Sequence, residues 1–313
     1  MLARIIETYG DDIQFVYRHY PLSFHDKAII TAEASEAAGA QGAFWGMHDI
    51  LFARYSDWAG LAPEAMPELL ADYAQELGLD VDRFSQELEQ HVYQERVENS
   101  YEESTNLRAP GTPTFIVNGR MFPFGAGLSE EALRLFIDTS LELATPFDSP
   151  PPQVVDANRT YHATLHTAQG DVVIELYGDR APANVNSFVF LAREGQYDGT
   201  TFLQVTPDFA VLAGDPSGTG LVMDHGYWCD LEIVSDLSFN EVGTVGLNSA
   251  TRRTSSIQFF INTTPQPTLD GSYTIIGRVI EGLDVLTALE PRDPRDPEAP
   301  PGETIESITI EEQ

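Results

Sequence analysis

Cysteine is almost absent, with Cys229 the only one in 313 residues. A lone thiol excludes an intrachain disulfide, a CxxC redox pair and any metal site built from several cysteines. Free cysteine most often serves as a small buried hydrophobe, and no nucleophile role is assigned to Cys229. Lysine is as scarce: Lys27 is the only one, and 17 basic residues face 49 acidic ones for a net charge of −32. The acidic excess is spread over both halves of the chain. Such a surface repels phosphate backbones and anionic membranes, which bind to clustered Lys and Arg, so nucleic acid is excluded as a partner. No run approaches the roughly 20 apolar residues of a membrane helix, so this chain is not expected to insert in a membrane. Met1 to Glu7 lacks the basic-then-apolar pattern of a signal peptide. It also opens in mid-pattern, with Leu2, Ile5 and Ile6 at helical spacing and no capping residue ahead of them, which predicts a preceding piece of the same domain.

What is present is a globular mixture: 42% hydrophobic residues with 12 Tyr and 17 Phe. The length suits two domains. The boundary falls at Thr145-Pro146-Phe147-Asp148-Ser149-Pro150-Pro151-Pro152-Gln153, where successive prolines forbid helix and central strand. The expected division is a domain over 1–145, a Pro-rich linker over 146–158 and a second domain over 159–313. Before the linker, Ala28–Ala38, Phe44–Arg54, Pro67–Leu77, Val81–Tyr93 and Glu130–Leu143 carry apolar residues at helical spacing. Ile13–Tyr17 and Thr114–Val117 read as strands, so this half is α/β. After the linker, alternation takes over. Tyr161–Thr167 and Asp171–Leu176 flank the turn Gln169-Gly170 as a hairpin, and strands follow at Phe202–Val205, Phe209–Leu212, Gln258–Ile261 and Thr274–Val279. One helix starts near Pro182 and buries Val185, Phe188, Val189 and Ala192. A second Pro-rich stretch, Pro291–Pro301, reads as a surface loop leading to a closing strand over Thr304–Ile310. Many short strands with few helices point to a mainly-β closed barrel capped by helices.

In the second half, Gly170-Asp171-Val172-Val173-Ile174-Glu175-Leu176-Tyr177, Asn186-Ser187-Phe188, Tyr197-Asp198-Gly199-Thr200-Thr201-Phe202, Gly214-Asp215-Pro216, Gly243-Thr244-Val245-Gly246 and Gln258-Phe259-Phe260-Ile261 occur in order. Together they resemble the cyclophilin-type peptidyl-prolyl cis-trans isomerases over roughly Tyr161 to Ile310. The resemblance implies catalysis of X-Pro rotation in unfolded or proline-containing polypeptides, with no cofactor and no metal. It places Phe209, Phe260 and Leu269 in the proline pocket, Gln258 beside it, and Ala210, Leu212, Asn248, Ser249 and Tyr273 along the peptide groove. The family's Phe-His-Arg-Val is here Phe202-Leu203-Gln204-Val205, so Gln204 stands at the catalytic arginine position. A carboxamide still donates a hydrogen bond but carries no charge and no five-donor fork, which implies weakened activity, or a non-catalytic proline-peptide-binding module in its place. Ala210, Leu212 and Asn248-Ser249 also depart from the family's usual Met, Gln and Ala-Asn. Arg252 and Arg253 precede Gln258 and are weighed as a compensating charge against the plainer reading of solvated loop residues.

In the first half, Arg18-His19-Tyr20-Pro21-Leu22, Gln41-Gly42-Ala43-Phe44-Trp45, Met47-His48-Asp49 and Gly111-Thr112-Pro113-Thr114-Phe115-Ile116-Val117-Asn118-Gly119 resemble a DsbA-type thioredoxin-fold domain without its CxxC. The resemblance implies a helical insertion between sheet strands, an N-terminal truncation, and a cis-proline loop at Thr112 and Pro113 that contacts peptide backbone. His25 and His48 are read as packing residues. Disulfide chemistry is not expected, and the resemblance implies a bacterial, extracytoplasmic or cell-envelope protein-folding factor.

Overall fold

The computed structural model describes residues 1–123, 127–143, 147–250, 253–296 and 298–313. Thr145 and Pro146 at the expected boundary, and Arg252, lie outside the described residues. The chain divides into two compact units, Tyr9–Pro113 and a unit formed by Met1–Thr8 with Thr114–Gln313.

Helix α1 (Leu2–Tyr9) opens the chain and buries Ile5. The unit over Tyr9–Pro113 is helical, with α2 (Ala28–Gly39), α3 (Phe44–Ala53), α4 (Tyr55–Trp58), α5 (Met66–Glu76), α6 (Val81–Glu89) and α7 (Gln94–Asn106). Its core joins the alanine face of α2, Ala34, Ala37 and Ala38, to Met47, Leu51, Leu70, Tyr73, Phe84 and Leu88. Asp80 caps α6 by accepting from the Arg83 backbone at 3.0 Å. That helix stops at Glu89 rather than reaching Tyr93, because His91 takes a left-handed φ of 53°. Ile13–Tyr17 is not a strand. Ile13 is extended, but no neighbouring segment among the described residues pairs with it, and the rings of Phe15 and Tyr17 pack instead on Trp45 at 5.7 and 6.2 Å. Aromatic and β-branched composition suits an extended segment, but a strand also needs a partner.

In the other unit, β1 (Ile116–Val117) and β2 (Arg120–Met121) form a hairpin through Asn118-Gly119, both at positive φ. Helix α8 (Glu130–Glu142), capped by Ser129, buries Leu133, Phe136 and Ile137. The remaining elements are β3 (Tyr161–Thr167), β4 (Gly170–Leu176), α9 (Pro182–Arg193), β5 (Phe202–Thr206), β6 (Ala210–Ala213), β7 (Cys229–Asp230), β8 (Thr244–Ala250), β9 (Arg253–Asn262), β10 (Ile275–Glu281), α10 (Leu283–Thr287) and β11 (Ile305–Glu312). They form one antiparallel sheet in the order β11-β3-β4-β10-β8-β9-β6-β5, with β7 paired to β9. The sheet curls so that the residues preceding its two end strands meet at the isolated bridge Thr201–Thr304.

Alternation decides what fills it. Tyr161, Ala163 and Leu165 of β3, Val172, Ile174 and Leu176 of β4, and Ile257, Phe259 and Ile261 of β9 point inward against Val185, Phe188, Val189 and Ala192 of α9. Each Val, Leu, Ile or Phe among them contributes about 1.5–3 kcal/mol when fully buried. The segment read as linker is held onto this core from Phe147 onward. Val155 is buried in it, Phe147 meets Phe190 at 5.3 Å, and Asn186 Oδ1 accepts from the Val154 and Val155 backbones at 2.6 and 3.1 Å.

Candidate active site

The candidate site lies on the sheet face opposite that core. Since β9 alternates, Gln258, Phe260 and Asn262 turn away from the inward Ile257, Phe259 and Ile261. Register then aligns a row across five strands: Gln204 of β5 pairs with Leu212 of β6, Leu212 with Phe260, Phe260 with Gly246 of β8, and Gly246 with Ile275 of β10. Directly opposed residues share a face, so these side chains are neighbours.

Around Phe260 this row becomes a second apolar cluster, separate from the core, built from Ala210, Phe239, Phe260 and Ile275 with Leu212, Leu269, Tyr273 and Tyr177 packed against it. Phe260 is nearly buried, stacked on Phe239 at 5.3 Å with ring planes 21° apart and met edge-on by Tyr273 at 5.2 Å. Gly246 leaves the room this requires: a Cβ there would stand 2.6 Å from Phe260 Cζ and 2.7 Å from Phe239 Cζ. Burial raises the Tyr177 phenol above its ordinary range. Five of the residues singled out in the sequence, Ala210, Leu212, Phe260, Leu269 and Tyr273, therefore come together. Phe209 stands apart, 39% exposed beside the Asp208 turn, its N–H donating to Thr206 O and its C=O accepting from Thr263 N.

Gln258 is fully buried and its carboxamide is engaged within the fold. Nε2 donates to Val222 O at 3.0 Å and Gly220 O at 3.2 Å, while Oε1 accepts from Asn248 Nδ2 at 2.7 Å. Asn248 Oδ1 in turn accepts from Ser249 N, and Ser249 Oγ reaches Ser272 O only at 3.5 Å. Behind Gln258, Asp215 accepts from the backbones of Ser217, Gly220 and Val222, and burial raises its carboxyl pKa against those donors. Gln204 is half-buried and donates from Nε2 to Thr206 Oγ1 at 3.2 Å. Arg253 opens β9, paired across to Asp230 and Ala250.

Thr112 and Pro113 belong to the other unit, exposed, with a cis peptide bond between them. His48 packs against Tyr17, Trp45 and Phe52. Phe239 and Asn262 escaped the sequence reading. Asn262 Nδ2 donates to the carbonyls of Phe239, Glu241 and Thr264, and the one signal for it was its place two residues beyond Phe260 on the same strand face.

The site is thus an apolar cluster backed by the Gln258-Phe259-Phe260 strand and flanked by Leu269 and Tyr273. A family model described as "Cyclophilin type peptidyl-prolyl cis-trans isomerase/CLD" matches residues 162–311. Peptidyl-prolyl cis-trans isomerase ppi1 of Schizosaccharomyces pombe is 46% identical over 123 residues, covering 39% of this chain and 79% of the relative. The chain belongs to the cyclophilin-type peptidyl-prolyl isomerase family. Isomerase CYP18-2 of Arabidopsis thaliana is 36% identical over 47% of this chain and 84% of its own length. The human peptidyl-prolyl cis-trans isomerase-like 1 is 38% identical over 39% and 75%. The first half of the chain is thioredoxin-like, matching a family model described as "Thioredoxin" over residues 1–139.

Proposed function

We propose that the chain is a peptidyl-prolyl cis-trans isomerase acting on X-Pro bonds of unfolded or proline-containing polypeptides, with turnover weakened at Gln204. The observation that carries this is the Phe260 cluster, an apolar seat for a proline ring on the face where Gln204 stands in register. Rotation about X-Pro is opposed by about 18–20 kcal/mol of amide resonance. A catalyst lowers that barrier by binding the twisted amide better than the planar one. Phe260, Leu269 and Tyr273 would hold the ring while the carbonyl side swings, and Ala210 and Leu212 would line the adjoining groove. Asn248, Ser249 and the rim residue Phe209 would contact the peptide, with Gln258 fixing the wall they stand on. Gln204 Nε2 would offer the twisted amide a neutral donor, weaker than the charge-assisted bond of a guanidinium. Nothing in this scheme needs a cofactor or a metal.

The domain division 1–145, 146–158 and 159–313 suits the two family matches, 1–139 and 162–311. The DsbA-like half, whose Thr112–Pro113 loop would pair with peptide backbone, would then hold substrate without redox chemistry, and the whole would work as a chaperone-like bacterial folding factor outside the cytoplasm. The neutral Gln204 favours one second reading, a proline-peptide binder without turnover. Measuring cis-trans relaxation of a short X-Pro peptide separates the two. Acceleration by the native chain that Phe260→Ala abolishes supports the enzyme; peptide binding with no acceleration supports the binder.

A further inference from the structure

Phe260 touches the pocket, but its ring plane is set from behind. Phe239 is fully buried, stacks on Phe260 and makes no opening to solvent, and three main-chain hydrogen bonds fix it. Its N–H donates to Asp270 Oδ1 at 2.8 Å, and its C=O accepts from Gln266 N at 2.8 Å and Asn262 Nδ2 at 2.9 Å. Asp270 is the link between the two walls. Its other oxygen, Oδ2, accepts from Ser238 Oγ at 2.6 Å. It follows directly on Leu269, which ends the single turn Pro267–Leu269 and packs against the same cluster. One carboxylate thus ties the segment carrying the stacking ring to the segment carrying the pocket's leucine.

From this geometry we infer that Asp270 is a positioning residue for the proline pocket: it sets the Phe239–Phe260 stack and the reach of Leu269 without itself meeting substrate. The inference rests on the isomerase reading for its consequence in catalysis, and on the hydrogen bonds alone for its consequence in the pocket. Both bonds are to a charged acceptor, the stronger class. Removing them leaves the Gln266 N–H to Phe239 C=O bond to hold together two segments that must agree to within about an ångström for the ring to be gripped.

The test compares the full chain with Asp270→Ala and Asp270→Asn. Asparagine keeps an acceptor for Phe239 N, and its NH2 can donate to Ser238 Oγ, so it preserves the tie without the charge. Two quantities are read: the aromatic carbon and proton resonances of Phe260 and Tyr273, and the affinity and isomerisation rate for a short Ala-Pro peptide. Asp270→Ala is expected to shift both rings and weaken binding about tenfold, the size of a lost charge-assisted hydrogen bond, with kcat changing less than KM. Asp270→Asn should stay near native. If Asp270→Ala does not fold, Ser238→Ala removes one of the two Asp270 bonds, together with the Asn240 N–H donation to Ser238 Oγ, and should weaken binding about threefold. Unshifted rings and native affinity in these variants overturn the proposal, as does an Asp270→Asn as damaged as Asp270→Ala. Should the native chain bind the peptide without turning it over, shifted rings and weakened binding in Asp270→Ala still uphold the positioning role, and it is the isomerase reading that fails.

Discussion

The wall built by β8, β9 and the Pro267–Tyr273 segment and the wall built by β5 and β6 face the same space with different chemistry. On the first, Phe260, Phe239 and Tyr273 interlock over Gly246, and every change there has to be absorbed by close packing. On the second, Gln204 is half-buried on a strand at the sheet's end, held by one 3.2 Å hydrogen bond to Thr206. Altering that side chain costs little stability. Ring packing and side-chain donation thus lie on separate strands of this fold: the Phe260 stack belongs to a close-packed cluster, and Gln204 makes one polar contact at the sheet's end.

Breaking the first wall should have the largest effect. Phe260→Ala removes the ring that Phe239 and Tyr273 pack against and is expected to abolish peptide binding, with a stability loss of about 3–5 kcal/mol in denaturant unfolding. Restoring the second wall comes next: Gln204→Arg should raise the isomerisation rate on the order of 100-fold, the worth of one electrostatic donor, while leaving the midpoint of unfolding nearly unchanged.

The loop that Gln258 grips, from Asp215 to Tyr227, sharpens the comparison through pH. His225 is buried there, and burial, with the Arg120 guanidinium adding to it, lowers its pKa to about 4. An unfolded chain protonates this ring below about pH 6.5, whereas the folded chain resists until about pH 4. Its contribution is therefore complete above pH 6.5 and is lost as pH falls toward 4, by roughly 3 kcal/mol in all. Burial raises Asp215 and Asp224, which work in the opposite direction just above their ordinary pKa. The difference between native and His225→Phe unfolding curves isolates the histidine, and equal slopes from pH 7 to 4 would exclude it. The smallest effect concerns Cys229, whose thiol burial pushes up to about 11. It should resist alkylation at pH 8 in the native chain and react on unfolding, whichever wall is altered.

Legibility in the sequence followed how local the cause was. The hairpin over Tyr161–Leu176 and the inward face of α9 come from alternation and helical spacing within a few residues. Helix α7 was not visible, because QERVENSYEESTN buries only Val97 and Ser104 and offers no apolar stripe. Ile13–Tyr17 has strand composition, but pairing is a property of the neighbour. At the site, motif residues such as Phe260 and Leu269 were readable, whereas Phe239 enters the pocket only through the fold, 21 residues upstream of the ring it supports. Gln258 reads from the sequence as a peptide contact, whereas its buried amide is engaged by Val222, Gly220 and Asn248, partners that only the fold brings to it.

The most direct test of the separable walls is a single set of X-Pro relaxation rates and peptide affinities for native, Gln204→Arg and Phe260→Ala chains. The account requires native binding with weak acceleration, faster turnover at similar affinity in Gln204→Arg, and neither binding nor turnover in Phe260→Ala. Undiminished binding in Phe260→Ala, or a Gln204→Arg that changes affinity and leaves the rate untouched, would contradict it.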